Sequence, residues 1–211
     1  DTILEIGCGW GSFAATASAA GCSVHGLTLS TEQKAEVDAR GLPGVTVSLT
    51  DYRDVIGTYD AVASIEMVEA VGQAYWPAYC DTLARVLKPG GRAAIQYISI
   101  ADDVFERYAS SVDFIQRYIF PGGALPSVTA LTTTATNLTS LRMTALEDIT
   151  EHYAMTLREW REKFYANVDA ITDLGYDNRF LRMWEYYLCY CEGGFEERSI
   201  GCVQAEFTKP A

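Results

Sequence analysis

The apolar run Thr2 to Ile6 ends in Gly7-Cys8-Gly9-Trp10-Gly11 and passes directly into a helical pattern. Three glycines at alternate positions strip the backbone bare where a strand meets the N-terminus of a helix, so a ligand can approach the main-chain amides. That junction belongs to α/β proteins with a mostly parallel sheet, whose ligands lie at the carboxyl ends of the strands. The first half of the sequence repeats the alternation. Further strands are expected at Ser23 to Leu29, Val45 to Leu49, Ala61 to Ile65 and Arg92 to Ile100, with helices over Trp10 to Ala20, Thr31 to Arg40 and Trp76 to Leu87. Lys88-Pro89-Gly90-Gly91 reads as a helix stop.

The second half changes character. A helix-like stretch, Asp102 to Tyr118, leads into the turn Phe120-Pro121-Gly122-Gly123, and a Thr-rich segment after it is too poor in apolar residues to assign. Next comes a helix with Leu157, Trp160, Phe164 and Ile171 on one side. In Asp177 to Glu192, Asp177 stands as the cap and Phe180, Met183, Trp184, Tyr187, Leu188 and Cys191 form a core stripe, with Trp160 and Trp184 expected inside. Ser199 to Phe207 follows as a last strand.

With 211 residues, 49% of them hydrophobic, the polypeptide can bury roughly 70% of its unfolded surface, so residues 1–211 read as one domain. Its longest apolar runs fall far short of the ~20 residues that span a bilayer. A net charge of -12 argues against a nucleic-acid partner and against bulk adsorption to anionic lipid, while leaving room for a local basic or apolar patch. The six cysteines lack metal or redox spacing and read as reduced, buried thiols of a cytoplasmic protein; two histidines argue against a metal site.

Two cofactors suit such a loop. A dinucleotide requires a third glycine where Ser12 stands and an acid at the end of the second strand, where the sequence is Gly26-Leu27-Thr28-Leu29-Ser30. The shorter G-x-G-x-G form, with Asp51-Tyr52 after the third strand to meet an adenine amine and flank the ring, points to S-adenosylmethionine. Asp51 alone would pass for a turn or cap acid.

Taken together, the motifs resemble the cyclopropane fatty acid synthase family, which includes the mycolic acid cyclopropane synthases and related C-methyltransferases of acyl chains. They are LEIGCGWG (4–11), GLTLSTEQ (26–33), DYRD (51–54), SIEMVEAVG (64–72), YIFPGGALPS (118–127), HYAMTLREW (152–160) and RMWEYYLCYCEGGF (182–195). The glycine loop is common to methyltransferases, whereas the IFPGG and HYA motifs are particular to this family. The resemblance implies a Rossmann-like class I methyltransferase fold: a mostly parallel seven-stranded sheet, helices on both faces and a helical insertion before the last strands. It implies a cofactor set of Glu5, Gly7, Gly9, Gly11, Thr28, Leu29, Gln33, Asp51 and Tyr52.

The same resemblance implies methyl transfer to the cis double bond of a phospholipid acyl chain. Proton loss to a bound bicarbonate then closes a cyclopropane. The bicarbonate ligands map to Glu69, Tyr153 and the backbone of Ile65. A cysteine of that site and a lid segment are expected before residue 1, together with peripheral membrane contact and a possible homodimer. Gln96 stands where the family has a histidine. Its amide can still donate to an anion but cannot carry a proton, which leaves open a methyl- or methylene-branched product. Without the resemblance, Glu69 would equally suit a helix N-terminus and Tyr153 a core position. Glu66 is assigned no catalytic role.

Overall fold

The computed structural model describes residues 1–211. Strands β1 (Thr2–Ile6), β2 (Ser23–Thr28), β3 (Val45–Leu49), β4 (Tyr59–Ile65) and β5 (Leu87–Ile100) run parallel. With β6 (Arg142–Asp148) and β7 (Ile200–Thr208) they form one seven-stranded sheet in the order β3-β2-β1-β4-β5-β7-β6. β7 is antiparallel to both β5 and β6. The mostly parallel seven-stranded sheet implied by the sequence motifs is therefore present.

Strand periodicity explains the layering. Leu4 and Ile6 of β1, Ile95 and Tyr97 of β5, and Val203 and Phe207 of β7 point to one face. There they join Tyr79 and Leu83 of α3 (Trp76–Val86) and Leu131 of α6 (Val128–Leu138) in the main core. The alternate residues point the other way. Ile3 meets Ala14 and Ala17 of α1 (Ser12–Ala19), and Val47 meets Val37 of α2 (Thr31–Ala39). Further along this second face, Ile98 and Cys202 meet Leu157 of α7 (Thr150–Ala166) and Leu188 and Phe195 of α9 (Asn178–Glu196). Short helices α4 (Phe105–Ala109), α5 (Phe114–Tyr118) and α8 (Val168–Asp173) complete the insertion.

Several boundaries differ from expectation for local reasons. The first helix begins at Ser12, because Gly11 adopts a left-handed conformation as its N-cap, and β2 ends at Thr28, leaving Leu29 75% exposed. The Lys88–Gly91 segment does not interrupt the fifth strand: β5 starts at Leu87 and absorbs it as a register shift opposite Tyr59/Ala61. The stretch expected as one helix from Asp102 to Tyr118 is broken at Asp113, whose side chain and Gln116 form a reciprocal capping box that starts α5. The unassigned Thr-rich segment is α6 followed by β6. Ile171 lies in α8, separate from the α7 stripe, and Trp160 is 51% exposed instead of buried. Of the six free cysteines, Cys8, Cys80 and Cys202 are buried, whereas Cys189 is exposed. The Asp177 cap is present, its carboxylate accepting from Phe180 N at 2.8 Å.

Candidate active site

Sheet order reverses at β1, which has β2 on one side and β4 on the other, so their carboxyl ends frame a crevice. A cavity of about 480 Å³ opens there, lined by Gly7, Thr28, Leu29, Asp51 and Tyr52 from the expected cofactor set, and by Arg53, Met67 and Tyr75 among others. Gly7 and Gly9 hold φ values of 81° and 50°, and a Cβ on Gly9 would meet nothing within 4 Å, so the loop leaves open space beside bare backbone. That cradle fits a nucleoside ligand.

Other members of the set act indirectly. Gln33 Oε1 accepts from Thr28 Oγ1 at 2.6 Å and braces the end of β2. Gly11 serves packing: a Cβ there would lie 2.8 Å from Val37. Glu5 is buried with Oε2 unpartnered, and desolvation raises its carboxyl to about 8. Asp51 is held by Arg53, which donates from Nε at 2.9 Å, from Nη2 at 2.7 Å and from its backbone at 3.0 Å, and this holds the Asp51 carboxyl below its ordinary value. The cap role open to Asp51 is therefore present. Tyr52 is buried edge-on against Tyr79; the more exposed ring at this mouth is Tyr75.

A second cluster lies at the ends of β4 and β5. Glu69 follows β4 in a single 3₁₀ turn, and its Oε1 accepts from Ile98 N at 2.6 Å. Its Oε2 is buried without a partner, and burial raises the carboxyl to about 7. The Phe120–Gly123 turn secures it, since Ala124 N donates to Glu69 O at 2.8 Å. Gly122 O would lie 3.2 Å from a Cβ on Gly72.

Gln96, Tyr153 and Glu66 meet beside it. Gln96 Nε2 donates to Tyr153 Oη at 2.6 Å and to Glu66 Oε1 at 2.9 Å, and Tyr153 Oη donates to Glu66 Oε1 as well. Glu66 itself sits at φ 51°, in the left-handed region, with its N–H on Gln96 O at 2.8 Å. Sequence reasoning passed over it. Its signal was its place immediately after β4, on the same edge as the glycine loop. Ile65 pairs with Gln96 in the ladder and its side chain is 41% exposed; the backbone amide that reaches Glu69 is that of Ile98.

A Rossmann-like sheet with this glycine cradle and an aspartate after β3 is that of an S-adenosylmethionine-dependent methyltransferase. Within that class the protein belongs to the mycolic acid cyclopropane synthetase family, whose model matches residues 1–205. It is 44% identical over 207 residues to the tuberculostearic acid methyltransferase UfaA1 of Mycobacterium tuberculosis, covering 96% of this chain and 48% of that one. It is 36% identical over 211 residues to the cyclopropane-fatty-acyl-phospholipid synthase of Escherichia coli K12, covering 98% and 53%. The sequence thus spans about half the length of these curated relatives. Among solved structures, the mycolic acid cyclopropane synthase CmaA1 complexed with SAH and CTAB superposes with a TM-score of 0.90 at 26% identity, over 99% of this chain and 78% of that one.

Proposed function

We propose that the protein methylates the cis double bond of a phospholipid acyl chain and that its product is a methylene-branched chain, which a separate reductase would saturate to a methyl branch. When bound, S-adenosylmethionine would supply an electrophilic methyl group to the alkene, leaving a cationic carbon beside the methyl-bearing one; a 1,2-hydride shift then moves the charge onto the methyl-bearing carbon, and loss of a proton from the methyl leaves the methylene branch. The protein's own residues hold the groups that then take a proton. Tyr153 Oη and Gln96 Nε2, the donors expected to hold a bicarbonate, both donate to Glu66 Oε1. A bicarbonate would face the Glu66 carboxylate and find these donors taken, which favours Glu66 over bicarbonate as the proton acceptor. Glu66, tethered at the end of β4, is the proton acceptor, and Tyr153 and Gln96 orient its carboxylate.

The occupation of both donors by Glu66 carries this reading. The name of the 44% identical relative, a tuberculostearic acid methyltransferase, supports the branched product, while the 36% identical cyclopropane synthase supports the ring. Mass spectrometry of phospholipids from cells expressing the protein decides between them. Ring and methylene branch add equal mass, but mild hydrogenation saturates only the branch. A hydrogenation-resistant adduct would restore the cyclopropane reading; no adduct at all would remove the lipid substrate.

A further inference from the structure

Glu192 of α9 is only 7% exposed, and the chemistry above makes no use of it. It is held from α7. Arg158 donates from Nε to its Oε1 at 3.0 Å, and Arg161 donates from Nε to its Oε2 at 2.9 Å and from Nη2 to its Oε1 at 3.3 Å. Arg158 also reaches Glu196, one turn further along α9. The two guanidinium groups, Arg161 foremost, hold the Glu192 carboxyl below its ordinary value. Taking such charges out of water offsets most of their attraction, so an ion triad of this kind adds little net stability; its best-attested use is to fix how two elements meet.

At its start α7 is tied to β7, where Ile149 N donates to Cys202 O at 2.9 Å and Cys202 N donates to Thr150 Oγ1 at 3.1 Å. A helix pinned at one end can still roll about its axis. The apolar cluster of Leu157, Leu188 and Phe195 beneath α7 does little to stop it, because apolar contact is non-directional. The triad lies off that line. At about 100° per residue, Arg161 and Arg158 fall on one flank of Leu157 and Tyr153 on the other. Tyr153 packs against Phe195, three residues after Glu192, with ring centroids 5.2 Å apart. Any roll of α7 is magnified at the far end of the Tyr153 side chain, where Oη meets Glu66 Oε1.

We propose that the Arg158–Glu192–Arg161 triad fixes the roll of α7 and so places the Tyr153 hydroxyl on Glu66. This rests on the reading of Glu66 as the proton acceptor. All three are positioning residues: none lines the glycine cavity, and they act on Tyr153 through the body of the helix. Their role separates from plain stability in one respect. Removing a single partner strands a charge and destabilises, whereas replacing a whole triad by apolar side chains commonly leaves stability equal or higher. The apolar version would keep α7 and α9 together while giving up the directional contact that sets their angle.

The triple variant R158M/R161M/E192L tests the proposal. It should melt at or above the wild-type midpoint, bind S-adenosylhomocysteine with unchanged affinity by calorimetry, and methylate acyl chains on the order of 10-fold more slowly. Tyr153→Phe should slow the wild type by a similar factor and the triple variant no further. In protein labelled with 3-fluorotyrosine, the fluorine resonance of Tyr153, identified by its loss in Tyr153→Phe, should move in the triple variant. Glu192→Gln keeps the side-chain shape and, should the triple variant fail to fold, is read in the same two ways. Unchanged turnover, or a Tyr153→Phe loss of equal factor in both backgrounds, overturns the proposal, as does an unmoved Tyr153 resonance. A wild type that methylates no lipid removes the acyl-chain reading, and the resonance alone then decides whether the triad places Tyr153.

Discussion

Gln204 Nε2 donates to Gln96 Oε1 at 2.8 Å from the directly opposed position on β7, and so fixes which way the Gln96 amide points. With its oxygen occupied, Gln96 can turn only its NH2 toward Glu66 and Tyr153. On the proposed reading of the site, Gln204 is a positioning residue. Gln204→Leu should lower turnover about tenfold, the scale of one lost hydrogen bond. Gln204→Glu should be worse, on the order of 100-fold, because its carboxylate would draw the NH2 away and turn the amide oxygen toward Glu66. Affinity for S-adenosylhomocysteine, read by calorimetry, should not change in either. Equal losses in the two variants would argue for simple destabilisation.

Glu66 occupies a backbone conformation that costs a non-glycine residue about 1–2 kcal/mol, while its side chain takes two hydrogen bonds. Glu66→Gly relieves the strain and loses the bonds, so the folding midpoint should move little. Turnover should fall by at least ~100-fold, the usual worth of a general base. Gln96 and Tyr153 are then free donors around a vacated carboxylate position, and added formate or bicarbonate should restore part of the rate. Unchanged turnover would remove Glu66 from the chemistry.

The glycine loop separates into two roles that single substitutions can distinguish. Gly11→Ala puts a methyl 2.8 Å from Val37 at φ 79° and should destabilise the fold by about 2 kcal/mol, leaving cofactor affinity intact in the folded fraction. Gly9→Ala meets no protein atom within 4 Å, so its stability cost should be about 1 kcal/mol, from its φ of 50° alone. Its methyl projects where a ligand would approach, and cofactor binding should weaken. Urea denaturation and calorimetry together read the two patterns; the reverse assignment would contradict the cavity geometry.

Burial raises the carboxyls of Glu5 and Glu69 from the ordinary 4.5 to about 8 and about 7. Each keeps a proton in the folded state that the unfolded state has already released. Their contribution to stability is therefore full below pH 4.5 and is lost as pH rises through about 7 for Glu69 and about 8 for Glu5. Glu5→Gln, which cannot ionise, should gain thermal stability relative to wild type as pH climbs from 4.5 to 8. Parallel melting curves for the two proteins across that range would show that Glu5 is not held protonated.

The parallel half was readable in the sequence because its strands are apolar runs cut by glycine, and α9 because Asp177 announces it as a cap. α6 was not readable. Its only buried residues are Leu131 and Ala135, and Thr134 and Thr136 turn their hydroxyls back onto carbonyls four residues earlier, at 2.8 and 2.9 Å, which composition does not reveal. β6 hides for a similar reason: it is an edge strand with little burial and hence no alternation. Of the cluster at the ends of β4 and β5, motifs brought out Glu69, Tyr153 and Gln96 as candidates, whereas Glu66 was assigned no role and Gln204 was not considered. A carboxylate in a left-handed turn and a glutamine facing its partner across an antiparallel ladder become visible only once the backbone is in place.

The pairing of Gln96 with Gln204 joins residues 108 positions apart. During synthesis, β1 to β5 and their helices can assemble while α9 and β7 are still being made, and the glycine cradle needs nothing beyond them. Gln96 cannot be oriented until β7 slots in between β5 and β6. A nascent polypeptide would therefore become able to hold its cofactor well before it could use it, with catalytic competence arriving among the last steps of folding.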